Sequence, residues 1–161
     1  RFKKEEFLPL KGQVDRIEKD VSVLKIDVAD LKGDNFERKV RERAPSYFGR
    51  LMRRCKVISH EELANILDDA VDNGVISESE RDNAVNIDVV AIGLLRHERE
   101  KKVVAVTEVS IKADRVDVER ASERAGIIGR AMNLPALAIV IGKEYTKGAE
   151  ARAEELNVIL C

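Results

Sequence analysis

Two carboxylates set in apolar segments are the residues of this chain best suited to chemistry. Asp88 begins one β-branched run (86–95), and Glu108 lies in the middle of a second one (103–112). A carboxylate within a buried strand is costly unless another group compensates its charge. If the two runs are neighbouring strands, both side chains can meet at one divalent cation, since such ions prefer oxygen ligands. We therefore expect Mg²⁺ or Mn²⁺ to bind at Asp88 and Glu108.

The two runs predict the centre of a β-sheet. A short charged turn (96–102) separates them, which is typical of a β-hairpin. Both runs are too apolar for exposed strands, so the sheet should be covered on both faces. The remaining pattern predicts a helix over 114–132, a strand over 136–141, a helix over 146–156 and a strand over 157–160. This alternation predicts an α/β domain whose mixed sheet is flanked by helices.

Further candidates for the site follow from position along the chain. Side chains alternate along a strand, so Lys112 should share a face with Glu108 and Ser110. Glu37 lies near the start of a helix predicted to begin at Asp34, where it could approach the two acids or instead close a capping box. Glu108 has an alternative as well, which is a buried ion pair with an arginine of the helix over 114–132. The sequence leaves these alternatives open.

A basic segment follows Asp34. We expect a helix as far as about Arg54, divided at Pro45, with a strongly basic polar side. Such a face could bind a phosphate backbone, although a solvated face paired with acids elsewhere is the simpler interpretation. The candidate nucleic-acid contacts here are Arg38, Arg41, Arg50, Arg53 and Arg54.

Residues 7–31 form a heptad pattern. Valines at position a and mostly leucines at position d favour a parallel two-stranded coiled coil. An amphipathic helix packed on its own domain is the alternative. The expected organisation is a coiled-coil homodimerisation helix (1–33), then an α/β domain (34–161) with a two-helix insertion (59–84). The pattern begins at Phe7, the a positions are Val14, Val21 and Val28, and the d positions are Leu10, Ile17, Leu24 and Leu31.

Composition narrows the class of protein. The 29 basic and 30 acidic residues nearly cancel, so net charge does not indicate a nucleic-acid binder. No apolar run reaches the roughly 20 residues of a membrane span, so we expect no membrane partner. Cys55 and Cys161 stand apart, which fits a reducing cytoplasm. Zinc chemistry is not expected, because the chain has only two histidines.

The order of the acids resembles the PD-(D/E)XK nuclease superfamily. A helix glutamate (Glu37), a strand aspartate (Asp88) and a glutamate on the next strand (Glu108) follow its pattern, and some prokaryotic members pair that domain with a coiled coil. The stretches that carry the resemblance include G-D-N-F-E-R-K-V-R, N-I-D-V-V, T-E-V-S-I-K and D-V-E-R-A.

The resemblance implies a restriction-endonuclease-like fold and metal-dependent hydrolysis of DNA. Asp88 and Glu108 would be metal ligands, and Glu37 would support them. Arg120 and Arg124 would lie near the site as further candidate contacts to nucleic acid. Ser110 departs from the pattern, because it stands where the motif has lysine. Lys112, Lys102 or a helix arginine would then have to replace that lysine. Otherwise the chain is a catalytically degenerate module that binds nucleic acid or protein.

Overall fold

The computed structural model describes residues 4–98 and 101–161, with side chains from residue 10 onward. The chain divides into two compact units, Arg1–Asn35 and Phe36–Cys161. The side chain of Phe7, the first apolar member of the heptad, lies outside the described residues. No helix in the described part is both long and apolar enough to cross a membrane.

The first helix is longer than the sequence pattern predicted. Helix α1 runs from Lys4 to Glu42 and continues through Gly33 and Asp34. The predicted capping box at Asp34 is therefore absent, since a capping box requires a helix start. One interior glycine costs only about 1 kcal/mol relative to alanine, which a helix of 39 residues tolerates.

The basic segment does not stay helical to Arg54. Helix α2 (Ala44–Phe48) has Pro45 in its first turn, where the missing N–H costs little. Strand β1 (Met52–Val57) follows, so Arg53 and Arg54 are strand residues. Arg54 has a φ of 55° where the register with the next strand shifts, as at a β-bulge. The prediction of a helix as far as Arg54 was wrong, because the charged residues of this edge strand conceal its apolar pattern.

A mixed five-stranded sheet forms the centre of the second unit, as predicted. Besides β1, its strands are β2 (Val89–Leu95), β3 (Lys102–Ala113), β4 (Ala136–Tyr145) and β5 (Ile159–Leu160). Their order is β1-β2-β3-β4-β5, with antiparallel β1/β2 and β2/β3 pairs and parallel β3/β4 and β4/β5 pairs. The hairpin prediction is confirmed by β2 and β3.

Helices cover both faces of the sheet. The last turns of α1 and helix α2 pack on one side, which we call the α2 face, through Phe36, Val40 and Phe48. The other helices of the described residues are α3 (His60–Asp72), α4 (Glu78–Ala84), α5 (Arg115–Met132) and α6 (Lys147–Leu156). They lie on the opposite side, the α5 face, and each begins at a serine, aspartate or threonine cap.

The segment 59–84, expected as an insertion, contributes to the main core. Leu63 and Leu67 of α3 share one apolar cluster with Val104 and Val106 of β3 and Ile128 of α5. Removing α3 would therefore expose the centre of the sheet, so the two helices are part of the fold that positions β2 and β3.

Leu67→Ala should lower the free energy of unfolding by about 3 kcal/mol, because Leu67 is fully buried and the change leaves a cavity. Urea unfolding followed by circular dichroism measures this loss. Val75→Ala is the control, since Val75 is exposed and its truncation should cost less than about 1 kcal/mol. Equal losses for the two variants would contradict a core role for α3.

Candidate active site

The β2/β3 register brings the two predicted acids together. Val89 pairs with Thr107 and Val90 with Val106, so continuing the register by one residue sets Asp88 opposite Glu108. The two carboxyl groups lie within hydrogen-bonding reach of each other. Asp88 Oδ2 also accepts a hydrogen bond of 2.8 Å from the backbone N–H of Val109. This bond fixes the aspartate against β3 at the point where the ladder ends.

Glu108 is a buried acid that faces α5. Its side chain is only 6% exposed, and its Oε1 lies 2.5 Å from Nη1 of Arg124. Arg124 also donates hydrogen bonds to Asn83 Oδ1 at 3.1 Å and to the carbonyl of Asn86 at 3.4 Å. The ion pair that the sequence left as an alternative is therefore present, and it coexists with the contact to Asp88.

The surroundings of Glu108 have opposing effects on its pKa. Burial, above all, and the neighbouring Asp88 raise the pKa of Glu108 to about 8, whereas the charge of Arg124 lowers it. A short bond to an arginine indicates a carboxylate, yet the raised pKa indicates a bound proton. Burial is the largest of these effects, so in the absence of an ion Glu108 holds a proton at neutral pH. The protonated carboxyl group can still accept a hydrogen bond from Arg124 through Oε1.

The two carboxylates fit the way proteins hold Mg²⁺. That ion is commonly bound by one or two carboxylates, with substrate phosphates and water at its other positions. Within residues 10–98 and 101–161, no three or more acid, histidine or cysteine side chains lie close enough to hold an ion. The fit is therefore to a site that substrate completes and not to an all-protein cage.

Glu37 reaches this region through another residue. Its carboxylate lies 3.3 Å from Nη2 and 3.4 Å from Nε of Arg41, one helical turn later. Arg41 Nη2 in turn donates to the backbone carbonyl of Asp88. Glu37 does not join Asp88 and Glu108 in a three-acid group among the described residues. The structure thus connects Glu37 to the site as a support for Arg41.

Lys112 lies at the exposed end of β3. Ile111 packs on the α2 face, whereas Ala113 packs with α5 and α6, so strict alternation ends before residue 113. Alternation along the strand therefore does not place Lys112 on the same face as Glu108, as the prediction for Lys112 assumed. Four residues of strand also separate the two Cα atoms by about 13 Å. The catalytic role of Lys112 stays a prediction.

The arginines proposed to contact nucleic acid divide into two groups. Arg41 donates to the backbone carbonyl of Asp88, and Arg124 donates to the carboxyl group of Glu108. Both guanidinium groups are therefore engaged inside the protein. The others are exposed, and among them Arg53 and Arg54 lie on β1 at the edge of the sheet. The exposed group is Arg38, Arg50, Arg53, Arg54 and Arg120.

Asn83 and Asn86 belong to the site but escaped the sequence analysis. Both accept from Arg124 and so orient the guanidinium that faces Glu108. The only available signal was the position of Asn86 two residues before Asp88 in the N-I-D stretch. Sequence spacing could not indicate their role, because the arginine that they hold comes from a helix about 40 residues away.

Comparison with known proteins adds no relative. The chain matches no protein-family model, and searches among curated proteins and solved structures returned no significant match. The resemblance to nucleases therefore depends on the order and placement of Glu37, Asp88 and Glu108.

Proposed function

We propose that this protein is a metal-dependent nuclease of the restriction-endonuclease-like fold that hydrolyses phosphodiester bonds of DNA in the cytoplasm. The observation that carries the proposal is the meeting of Asp88 and Glu108 at the end of the β2/β3 ladder, with Arg124 against them. The mixed sheet with helices on both faces is compatible with such a fold.

The charge of the site suits an anionic substrate. With Glu108 protonated, the formal charges of the two acids and Arg124 sum to zero. If a divalent cation replaces the proton, two carboxylates, one arginine and the cation leave one net positive charge. That charge would attract a phosphate group in a partly buried site, where electrostatic interactions are stronger than in water.

Each residue of the site then has a role in the proposal. Asp88 and Glu108 would hold the ion, which supplies polarisation of a phosphoryl oxygen and a lowered pKa of bound water. Arg124 keeps Glu108 oriented and adds positive charge. Arg41 holds the backbone of Asp88, so Glu37 acts as its positioning partner. Lys112 is our candidate to take over the role of the motif lysine, because Ser110 stands at the position of that lysine.

A cleavage assay tests the proposal. Supercoiled plasmid and single-stranded and double-stranded oligonucleotides are incubated with Mg²⁺ or Mn²⁺, and parallel samples contain EDTA. We expect nicking or cutting that requires the metal. If no substrate is cut with either metal while the protein still retains DNA, the nuclease proposal fails.

Ser110 favours a second candidate of a different class. Without a lysine at that position, and with Arg124 already paired to Glu108, the chain could be a nuclease-fold module that binds nucleic acid without cutting it. Binding would then depend on the exposed arginines of the α2–β1 region.

Arg53→Glu distinguishes that surface. Arg53 is exposed on the edge strand, so the change should weaken DNA binding and reduce the slope of log K against log salt by about one unit if one phosphate contact is lost. Fluorescence anisotropy between 50 and 200 mM salt, about the range over which such contacts weaken strongly, measures both quantities. Lys147→Glu makes the same charge change on exposed α6 and serves as the control. Equal weakening by both variants would assign the effect to net charge alone.

A further inference from the structure

Helix α1 exposes a continuous row of apolar side chains. Seven a and d residues of the heptad, here called the apolar stripe, range in exposure from 43% at Val21 to 67% at Leu31. Scattered exposed apolar residues are ordinary, but a row in regular heptad spacing marks an interaction site. The stripe consists of Leu10, Val14, Ile17, Val21, Leu24, Val28 and Leu31.

We propose that a second copy of this chain covers the apolar stripe as a parallel, in-register coiled coil. The flanking charges select this partner. Asp20 and Asp27 occupy g positions, and Lys25 and Lys32 occupy the e positions five residues later. In a parallel pair each g residue faces the following e residue of its partner, so both of these contacts join an aspartate to a lysine.

The opposite orientation is disfavoured by the same charges. An antiparallel pair sets g against g and e against e, so neither aspartate at g would meet a lysine at e of the partner. Valine at a with mostly leucine at d likewise favours two parallel strands over larger assemblies. Self-complementarity therefore comes from both the apolar stripe and its flanks.

Two matched substitutions test the interface. Val21→Asp puts a charge in the apolar stripe, whereas Val23→Asp puts the same charge at position c, outside it, on a residue that is 57% exposed. Light scattering should show wild type and Val23→Asp at twice the chain mass of 18.1 kDa and Val21→Asp at that mass. A wild-type monomer, or a dimer that survives Val21→Asp, would overturn the proposal. Both substituted side chains are exposed in the single chain, so neither change should prevent folding.

Orientation is tested by disulfide formation. In a background of Cys55→Ser and Cys161→Ser, Val14→Cys should form a self-disulfide under mild oxidation, because a residues face each other only in a parallel pair. If that variant stays uncrosslinked while a mixture with Leu24→Cys or Leu31→Cys crosslinks, an a residue faces a d residue, so the pair is antiparallel and the proposal fails. These readouts do not involve cleavage, so they stand or fall independently of the proposed nuclease activity.

Discussion

Glu108→Gln should lower metal-dependent DNA cleavage by about 10²–10³-fold, the range expected when a charge-stabilising group is removed from an active site. The amide keeps the size of the side chain and can still accept from Arg124, so the fold should survive. It cannot supply the second negative charge that a divalent cation needs opposite Asp88. Initial rates of plasmid nicking in Mg²⁺ and Mn²⁺ measure the effect.

Glu61→Gln provides the matched control. It makes the same change of group on an exposed acid in the first turn of α3 and should leave the rate unchanged. Calorimetric titration with Mn²⁺ on the same proteins separates binding from chemistry, and Glu108→Gln should weaken the binding as well. Cleavage that Glu108→Gln does not reduce would remove Glu108 from the active site and contradict the proposed metal site at Asp88 and Glu108.

The stability of the metal-free protein should fall as pH rises from about 5 to 8. The pKa of Glu108 is about 8 in the folded chain and ordinarily 4.5, so the folded state holds this proton more tightly than the unfolded state. A group whose folded pKa is raised contributes stability that is complete below its unfolded pKa and is lost as pH approaches the folded pKa. One pKa unit corresponds to 1.36 kcal/mol, so the expected loss is roughly 3–4 kcal/mol across that interval.

Urea unfolding in EDTA at pH 5 and pH 8 measures this loss. Glu108→Gln cannot titrate, so the difference between wild type and this variant isolates the contribution of Glu108 from other groups. Addition of Mg²⁺ at pH 8 should restore stability to wild type and not to Glu108→Gln, because the ion would compensate the charge of the ionised Glu108. If both proteins show the same change with pH, the raised pKa of Glu108 is wrong.

Local patterns in the sequence determined much of the framework. The two β-branched runs and the charged turn between them specified an antiparallel hairpin, because β-branched side chains suit buried strands and the turn suits its reversal. Asp114 could be identified as the start of α5, since it caps the helix together with Asp117 three residues later. The heptad likewise depends on spacing alone, and α1 carries it on one continuous helix.

Tertiary structure decided which groups meet. The β2/β3 register sets Asp88 against Glu108, and the packing of α5 selects Arg124, and not Arg120, as the partner of Glu108. The path of α1 brings Arg41 to the backbone of Asp88. These choices depend on contacts between residues 16 to 47 positions apart, whereas sequence patterns report propensities over a few residues. The sequence alone therefore determined which acids were available, and only the folded chain decided which charges surround them.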